Sequence, residues 1–114
     1  DARTLAEALK ALGAADATAS SDIQMVAPDI AENGAVVPVN VTSTVPGTDA
    51  IAVLVEKNPN ALAASFDLPD GTEPAVSVRV KMQQTSNVVA LVRAKGKFYT
   101  LTKEVKVTLG GCGG

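Results

Sequence analysis

Two runs, Ile51-Ala52-Val53-Leu54-Val55 and Val88-Val89-Ala90-Leu91-Val92, are apolar at every position. Each is short, bounded by turn residues and rich in β-branched side chains, which marks a strand rather than a helix. A strand turns successive side chains to opposite faces, so both faces of these two must leave water. An antiparallel sheet with one solvated face cannot satisfy that. Something has to cover each side, and no other stretch constrains the fold so tightly.

The remaining pattern is β from Ile23 onward. Candidate strands fall at 23–27, 36–43, 50–56, 65–67, 75–83, 88–94 and 98–109, and the breaks are Pro28, Asn33-Gly34, Pro46-Gly47, Asn58-Pro59, Asp70-Gly71 and Lys95-Gly96-Lys97. About seven strands in some ninety residues predict an all-β, immunoglobulin-like antiparallel β-sandwich. In 75–83 the apolar residues Val76, Val78, Val80 and Met82 alternate with Ser77, Arg79, Lys81 and Gln83, giving one core face and one wet face. The last strand points Tyr99, Leu101, Val105, Val107 and Leu109 inward and Glu104, Lys106 and Thr108 outward. A slip of one residue would reverse those faces, so the register of this strand is firmly set. Pro38 indicates an edge position or a bulge, because proline cannot donate to a ladder.

Residues 4–13 read as a short N-terminal helix. Thr4 and Glu7 have capping-box spacing, Leu5, Ala8, Leu9 and Leu12 share one face, and Gly13 stands at the stop. Residues 14–22 are small and polar and read as a linker. The predicted organisation is thus a helix and linker over 1–22, a sandwich over 23–109 and a glycine-rich arm over 110–114. A helix of about two turns looks short for the outer faces of both apolar runs, so the expectation is that helix and a partner subunit each cover part.

Composition excludes several functions. The chain has no histidine, which removes Cys-His and Ser-His nucleophile pairs and the commonest metal ligand. It has one cysteine, hence no internal disulfide, and carries no CxxCH, CxxC, GxGxxG or P-loop. A net charge of −2, one Tyr and no Trp argue against nucleic-acid binding. No apolar run nears the ~20 residues that cross a bilayer. The sequence begins at Asp1 without Met, which gives the expectation of a mature form whose targeting segment has been removed.

The candidate site is Gly110-Gly111-Cys112-Gly113-Gly114. Four of the nine glycines flank the one cysteine, directly after the last strand. Such a stretch gains nothing by packing and loses most backbone freedom on ordering, so it is expected to be a mobile arm that carries a thiol roughly 10 Å from its anchor. No neighbouring base or helix N-terminus activates the sulfur, which therefore is not a catalyst in its own right. An incidental tail cysteine is a poor account, since a lone exposed thiol is a liability under oxidising conditions. Prenylation needs the cysteine fourth from the end, and here it is third. A disulfide joining two chains through Cys112 is chemically easy.

The terminal segment after Val105-Lys106-Val107-Thr108-Leu109, together with 27–39 (Ala-Pro-Asp-Ile-Ala-Glu-Asn-Gly-Ala-Val-Val-Pro-Val), Val55-Glu56-Lys57-Asn58-Pro59, Arg79-Val80-Lys81-Met82 and Thr85-Ser86-Asn87, resembles the SoxY family. These are sulfur-carrier subunits of the bacterial thiosulfate-oxidising Sox system. The resemblance runs from residue 23 to the end and implies a periplasmic protein with an immunoglobulin-like fold that pairs with SoxZ. It further implies that Cys112 is joined oxidatively to thiosulfate by the c-type cytochrome SoxAX, that SoxB hydrolyses off sulfate, and that SoxCD, where present, oxidises the sulfane sulfur left behind. On this reading the chain has no catalytic residue, no metal and no cofactor beyond the covalent sulfur adducts, and SoxZ is a natural cover for one of the doubly apolar strands. Two other readings remain beside it. One is a scaffold module whose tail cysteine forms an intermolecular disulfide. The other is a thiocarboxylate donor of the kind that ends in Gly-Gly, which would give Cys112 no role and whose β-grasp fold needs a helix that the 23–109 pattern lacks.

Overall fold

Among the described residues, the alternating runs and the turn residues between them resolve into nine strands and one helix. A computed structural model of the chain describes residues 4–108. Helix α1 (Leu5–Ala11) is followed by β1 (Thr18–Ala19), β2 (Ile23–Val26), β3 (Ile30–Ala31), β4 (Val37–Ser43), β5 (Thr48–Val55), β6 (Leu62–Asp67), β7 (Ala75–Val80), β8 (Ser86–Ala94) and β9 (Lys97–Val107). One sheet has the order β1-β9-β8-β5-β6, with β3 also lying against β9, and the other has the order β2-β4-β7. Face to face they make the immunoglobulin-like sandwich that the strand spacing predicts. Valines dominate the space between them: Val37, Val39 and Val41 of β4 meet Val53, Val55, Val88, Val92 and Val105, and all eight are fully buried.

The faces fall as the alternation predicts. Val76, Val78, Val80 and Met82 pack on this core, as do Tyr99, Leu101, Val105 and Val107. Ser77, Arg79, Lys81 and Gln83 are exposed. Leu109 lies outside the described residues. Strand β7 stops at Val80 rather than running to residue 83, because the next inward residue, Met82, gives its amide to the Gly34 carbonyl (2.6 Å) instead of to the ladder. Pro38 sits in the central strand of its sheet. That strand is locally an edge there, since β2 ends at Val26 opposite Asn40, short of the proline.

The outer faces of β5 and β8 correct one expectation. Ala52, Leu54, Val89 and Leu91 point away from the inter-sheet core and are 6%, 0%, 3% and 3% exposed. The chain covers them itself, with no share left for a partner subunit. Leu5, Ala8, Leu9 and Leu12 of the helix region lie over them, and Ala14, Ala17, Ala61, Leu62 and Phe98 complete the cluster. The helix is as short as its pattern suggests. The chain after it extends the cover.

Thr4 caps α1 with a reciprocal capping box: the Glu7 amide donates to Thr4 Oγ1 and the Thr4 amide to Glu7 Oε1, each at 3.1 Å. At the other end the Ala14 amide reaches back to the Leu9 carbonyl (2.7 Å) and the Gly13 amide to that of Lys10 (3.0 Å), a Schellman turn that needs the φ of +80° at Gly13. This turn drops Ala14 into the cluster at 1% exposure. The segment 14–22, expected to be a linker, then joins the sheet: β1 pairs in parallel with β9, Thr18 opposite Tyr99. At the far end of the same cluster-facing side, Arg93 Nε pairs with Asp49 Oδ1 (2.8 Å), and that hydrogen bond, with the charges of Asp49 and Asp67, raises the guanidinium pKa further above its ordinary value.

Leu54→Ala tests whether this second core matters as much as the first. Removing a fully buried leucine side chain should cost about 2–5 kcal/mol of unfolding free energy, read from urea denaturation. A cost near zero would mean that the outer face is not packed as described.

Candidate functional site

Cys112, Gly110, Gly111, Gly113 and Gly114 lie outside the described residues, and so does the expectation that they form a mobile arm. The structure does describe the place from which they depart, and that place is built from the hairpin of β8 and β9 upward. The hairpin closes with Ala94 opposite Lys97 through a two-residue turn in which both Lys95 (φ 53°) and Gly96 (φ 76°) are left-handed, the conformation that matches the twist of antiparallel strands. A tight turn fixes register. From it the pairing runs unbroken to Ser86 opposite Val105.

β9 outlasts its partner by two residues, and three different groups hold those last residues and Thr108 just beyond. The Lys106 amide donates to the Asp29 carbonyl (3.0 Å), the Val107 amide to Thr85 Oγ1 (2.9 Å) and the Thr108 amide to the Ala31 carbonyl (3.1 Å). The first and third belong to the parallel pairing with β3, Ile30 opposite Lys106 and Ala31 opposite Val107. Lys103 secures the approach to β3, donating to the Ala27 carbonyl (2.6 Å) and pairing with Asp29 Oδ1 (3.1 Å). No backbone donor from 106 to 108 is left over.

Gly34 closes the site from the core side. A Cβ at this position would stand 2.3 Å from the Met82 carbonyl oxygen and 3.1 Å from Val107 Cγ1, so only glycine allows the 32–36 loop to press against the end of β9. The loop is turned by Asn33, whose Oδ1 accepts from the Ala35 amide (3.0 Å) and whose carbonyl accepts from the Val36 amide (3.2 Å). On the neighbouring side Asn58 Nδ2 donates to the Lys81 carbonyl (2.6 Å) and the Lys57 amide to Ser86 Oγ (3.0 Å). An open cleft of about 350 Å³ remains beside the exit, lined by Glu32, Asn33, Gly34, Ala35, Lys81, Met82, Gln83, Val107 and Thr108.

Four stretches far apart in sequence, 27–36, 56–59, 81–87 and 103–108, thus gather at one end of the sandwich, around the point where the chain leaves for Cys112. Sequence reasoning marks Asn33-Gly34 and Asn58-Pro59 as turns but does not assign them to the site. Thr85 is missed as a contact, since nothing local shows that its hydroxyl stands in for a missing strand residue. Among the described residues no group of three or more His, Cys, Asp or Glu side chains is placed to hold a metal ion, and no helix is long and apolar enough to cross a membrane.

The fold is that of a small immunoglobulin-like sandwich whose last strand is held as far as Thr108, followed in sequence by a single glycine-flanked cysteine. The family model described as sulfur oxidation protein SoxY matches residues 8–112, and the chain belongs to that family. It is similar to the solved structure of the sulfur carrier protein SoxY from Chlorobium limicola f thiosulfatophilum, with 40% identity, 91% of each chain covered and a TM-score of 0.81. An engineered protein shares the fold alone, at 18% identity and a TM-score of 0.50 over 80% of this chain and 21% of that one. No curated protein matches the chain.

Gly34→Ala puts a methyl group against the Met82 carbonyl, and overpacking of this kind should cost about 1–3 kcal/mol, measured as a fall in the urea midpoint. An unchanged midpoint would show that the loop is not wedged there.

Proposed function

We propose that this chain is a non-enzymatic covalent carrier of sulfur intermediates in thiosulfate oxidation, with Cys112 as the attachment point and Gly110, Gly111, Gly113 and Gly114 as the joints of a swinging arm beyond a 23–109 body. The observation that carries the reading is the pinned end of β9: three consecutive amides, 106 to 108, are held by the body one residue before the sequence turns to glycine around its one cysteine. The family match supports it by reaching residue 112, and the 40% identical relative is itself called a sulfur carrier.

The chemistry explains why such a carrier needs partners. Joining the Cys112 thiol to thiosulfate forms a sulfur–sulfur bond and gives Cys–S–S–SO₃⁻, with the loss of one proton and two electrons. A c-type cytochrome, SoxAX, takes the electrons. Water then attacks the terminal sulfur in SoxB, releasing sulfate and two protons and leaving the persulfide Cys–S–S⁻ on the arm, which SoxCD oxidises where it is present. The chain contributes the thiol and its presentation and requires no cofactor of its own. A tethered intermediate meets each enzyme at a high effective concentration and is not lost to the surroundings. The setting is the periplasm, where a single thiol also avoids resolution of the adduct by a second one. SoxZ binds the body away from the outer faces of β5 and β8, which the chain already covers. A Cys112-linked homodimer is a side product that withdraws the thiol.

The test is reconstitution with thiosulfate labelled in its outer sulfur, SoxZ and SoxAX. Label should enter this chain in proportion to the electrons received by the cytochrome, leave on reduction, and be absent from Cys112→Ser. Retention of label by Cys112→Ser would refute the site. No labelling of the unmodified chain, with Cys112→Ser changing only the fraction of dimer, would favour the scaffold reading.

A further inference from the structure

We propose that Thr85 is a positioning residue of the carrier: by accepting the Val107 amide beyond the end of the β8–β9 ladder, its hydroxyl sets where the body ends and the tether to Cys112 begins. The inference rests on the carrier reading above. It concerns how well an adduct is delivered rather than whether one forms.

Successive amides of a strand point to opposite sides, so those of 106 to 108 cannot all be served by one neighbour. Lys106 donates to Asp29, just before β3, and Thr108 to Ala31, the last residue of that two-residue strand. On the other side β8 stops supplying partners after Ser86 opposite Val105, and Thr85 is the next residue. Its side chain, not its backbone, takes over, with Oγ1 at 2.9 Å from the Val107 nitrogen in a half-buried setting. Among the described residues, the backbone hydrogen bonding at the end of β9 is therefore two-sided only through this hydroxyl. Valine matches threonine closely in shape but offers no acceptor, and leaves the Val107 amide without its partner at the point where the strand has least support.

A released root lengthens the tether. Freeing 106–108 adds three residues, or roughly 10 Å of extended chain, to a tether that otherwise spans only the few residues from 109 to 112. Effective concentration falls roughly as the −3/2 power of tether length, so going from about four residues to about seven lowers delivery to an enzyme about twofold. A small reagent that needs no orientation would meet the thiol as before.

The experiment compares the unmodified chain with Thr85→Val and Thr85→Ser, each loaded with thiosulfate at Cys112 and each bound to SoxZ. Three quantities are read: the rate at which the hydrolase releases sulfate at limiting enzyme, the rate of free Cys112 with a small aromatic disulfide, and hydrogen-exchange protection of the 106–108 amides. Thr85→Val should lose protection at these amides and release sulfate about twofold more slowly with small-reagent reactivity unchanged, and Thr85→Ser should restore both. The proposal is overturned if Thr85→Val keeps wild-type protection, if sulfate release is unchanged while protection is lost, or if serine fails to rescue. Failure of the unmodified chain to accept thiosulfate at all overturns the carrier reading itself, and is told apart because it precedes any comparison of variants.

Discussion

The burial of both faces of β5 and β8 is the constraint on which the rest of this structure depends. One face of each is met by the valines of β4 and its neighbours, which makes the sandwich. The other face is met by the chain's own beginning. A seven-residue helix has little stability in isolation and holds only through tertiary packing, so α1 exists because Leu54, Val89 and Leu91 need a lid. The capping box and the Schellman turn close both ends of that lid, and β1 ties the segment after the helix to β9. With both faces dry, β8 is a fixed reference inside the molecule.

The proposed carrier role rests on that reference. β9 takes its register from β8 through a turn with two left-handed residues, and keeps it to Val105. Beyond that point the body changes the means of holding but not the hold: a parallel strand on one side, a threonine hydroxyl on the other and a glycine-permitted loop against the side chain of Val107. Where this support ends, the sequence becomes glycine on both sides of a cysteine. A carrier needs a stiff base and a loose arm, because stiffness sets where the thiol is offered and looseness lets it enter sites of different shape. The base is visible in the hydrogen bonds, whereas the arm is an expectation from composition that lies outside the described residues.

Much of this is legible in the sequence because local patterns decide it. Alternation assigns the faces of 75–83 and of the last strand as far as Thr108, since period two is a local property of the strand. The helix and its caps are signalled by Thr4, Glu7, the leucine spacing and Gly13. Features that depend on residues distant in sequence stay hidden. Thr18–Ala19 and Ile30–Ala31 have no strand signal, being two residues each and defined only by parallel pairing with β9. The helix is read correctly but its reach is underestimated, because the contribution of Ala14, Ala17 and Ala61 depends on where the Schellman turn sends the chain. Pro38 signals an edge, and it marks the far end of β4 that β2 does not reach. The cysteine segment is singled out by composition and lies outside the described residues, whereas Thr85 is an ordinary threonine until Val107 is placed beside it.

The central claim is that Cys112 bears sulfur in transit, and intact-protein mass spectrometry of material taken from its native source, with and without a reductant, addresses it most directly. The expected result is a fraction heavier by a thiosulfonate or by sulfane sulfur, mapped to the peptide containing Cys112 and removed by the reductant. Finding Cys112 only as free thiol or dimer disulfide during active thiosulfate oxidation would contradict it.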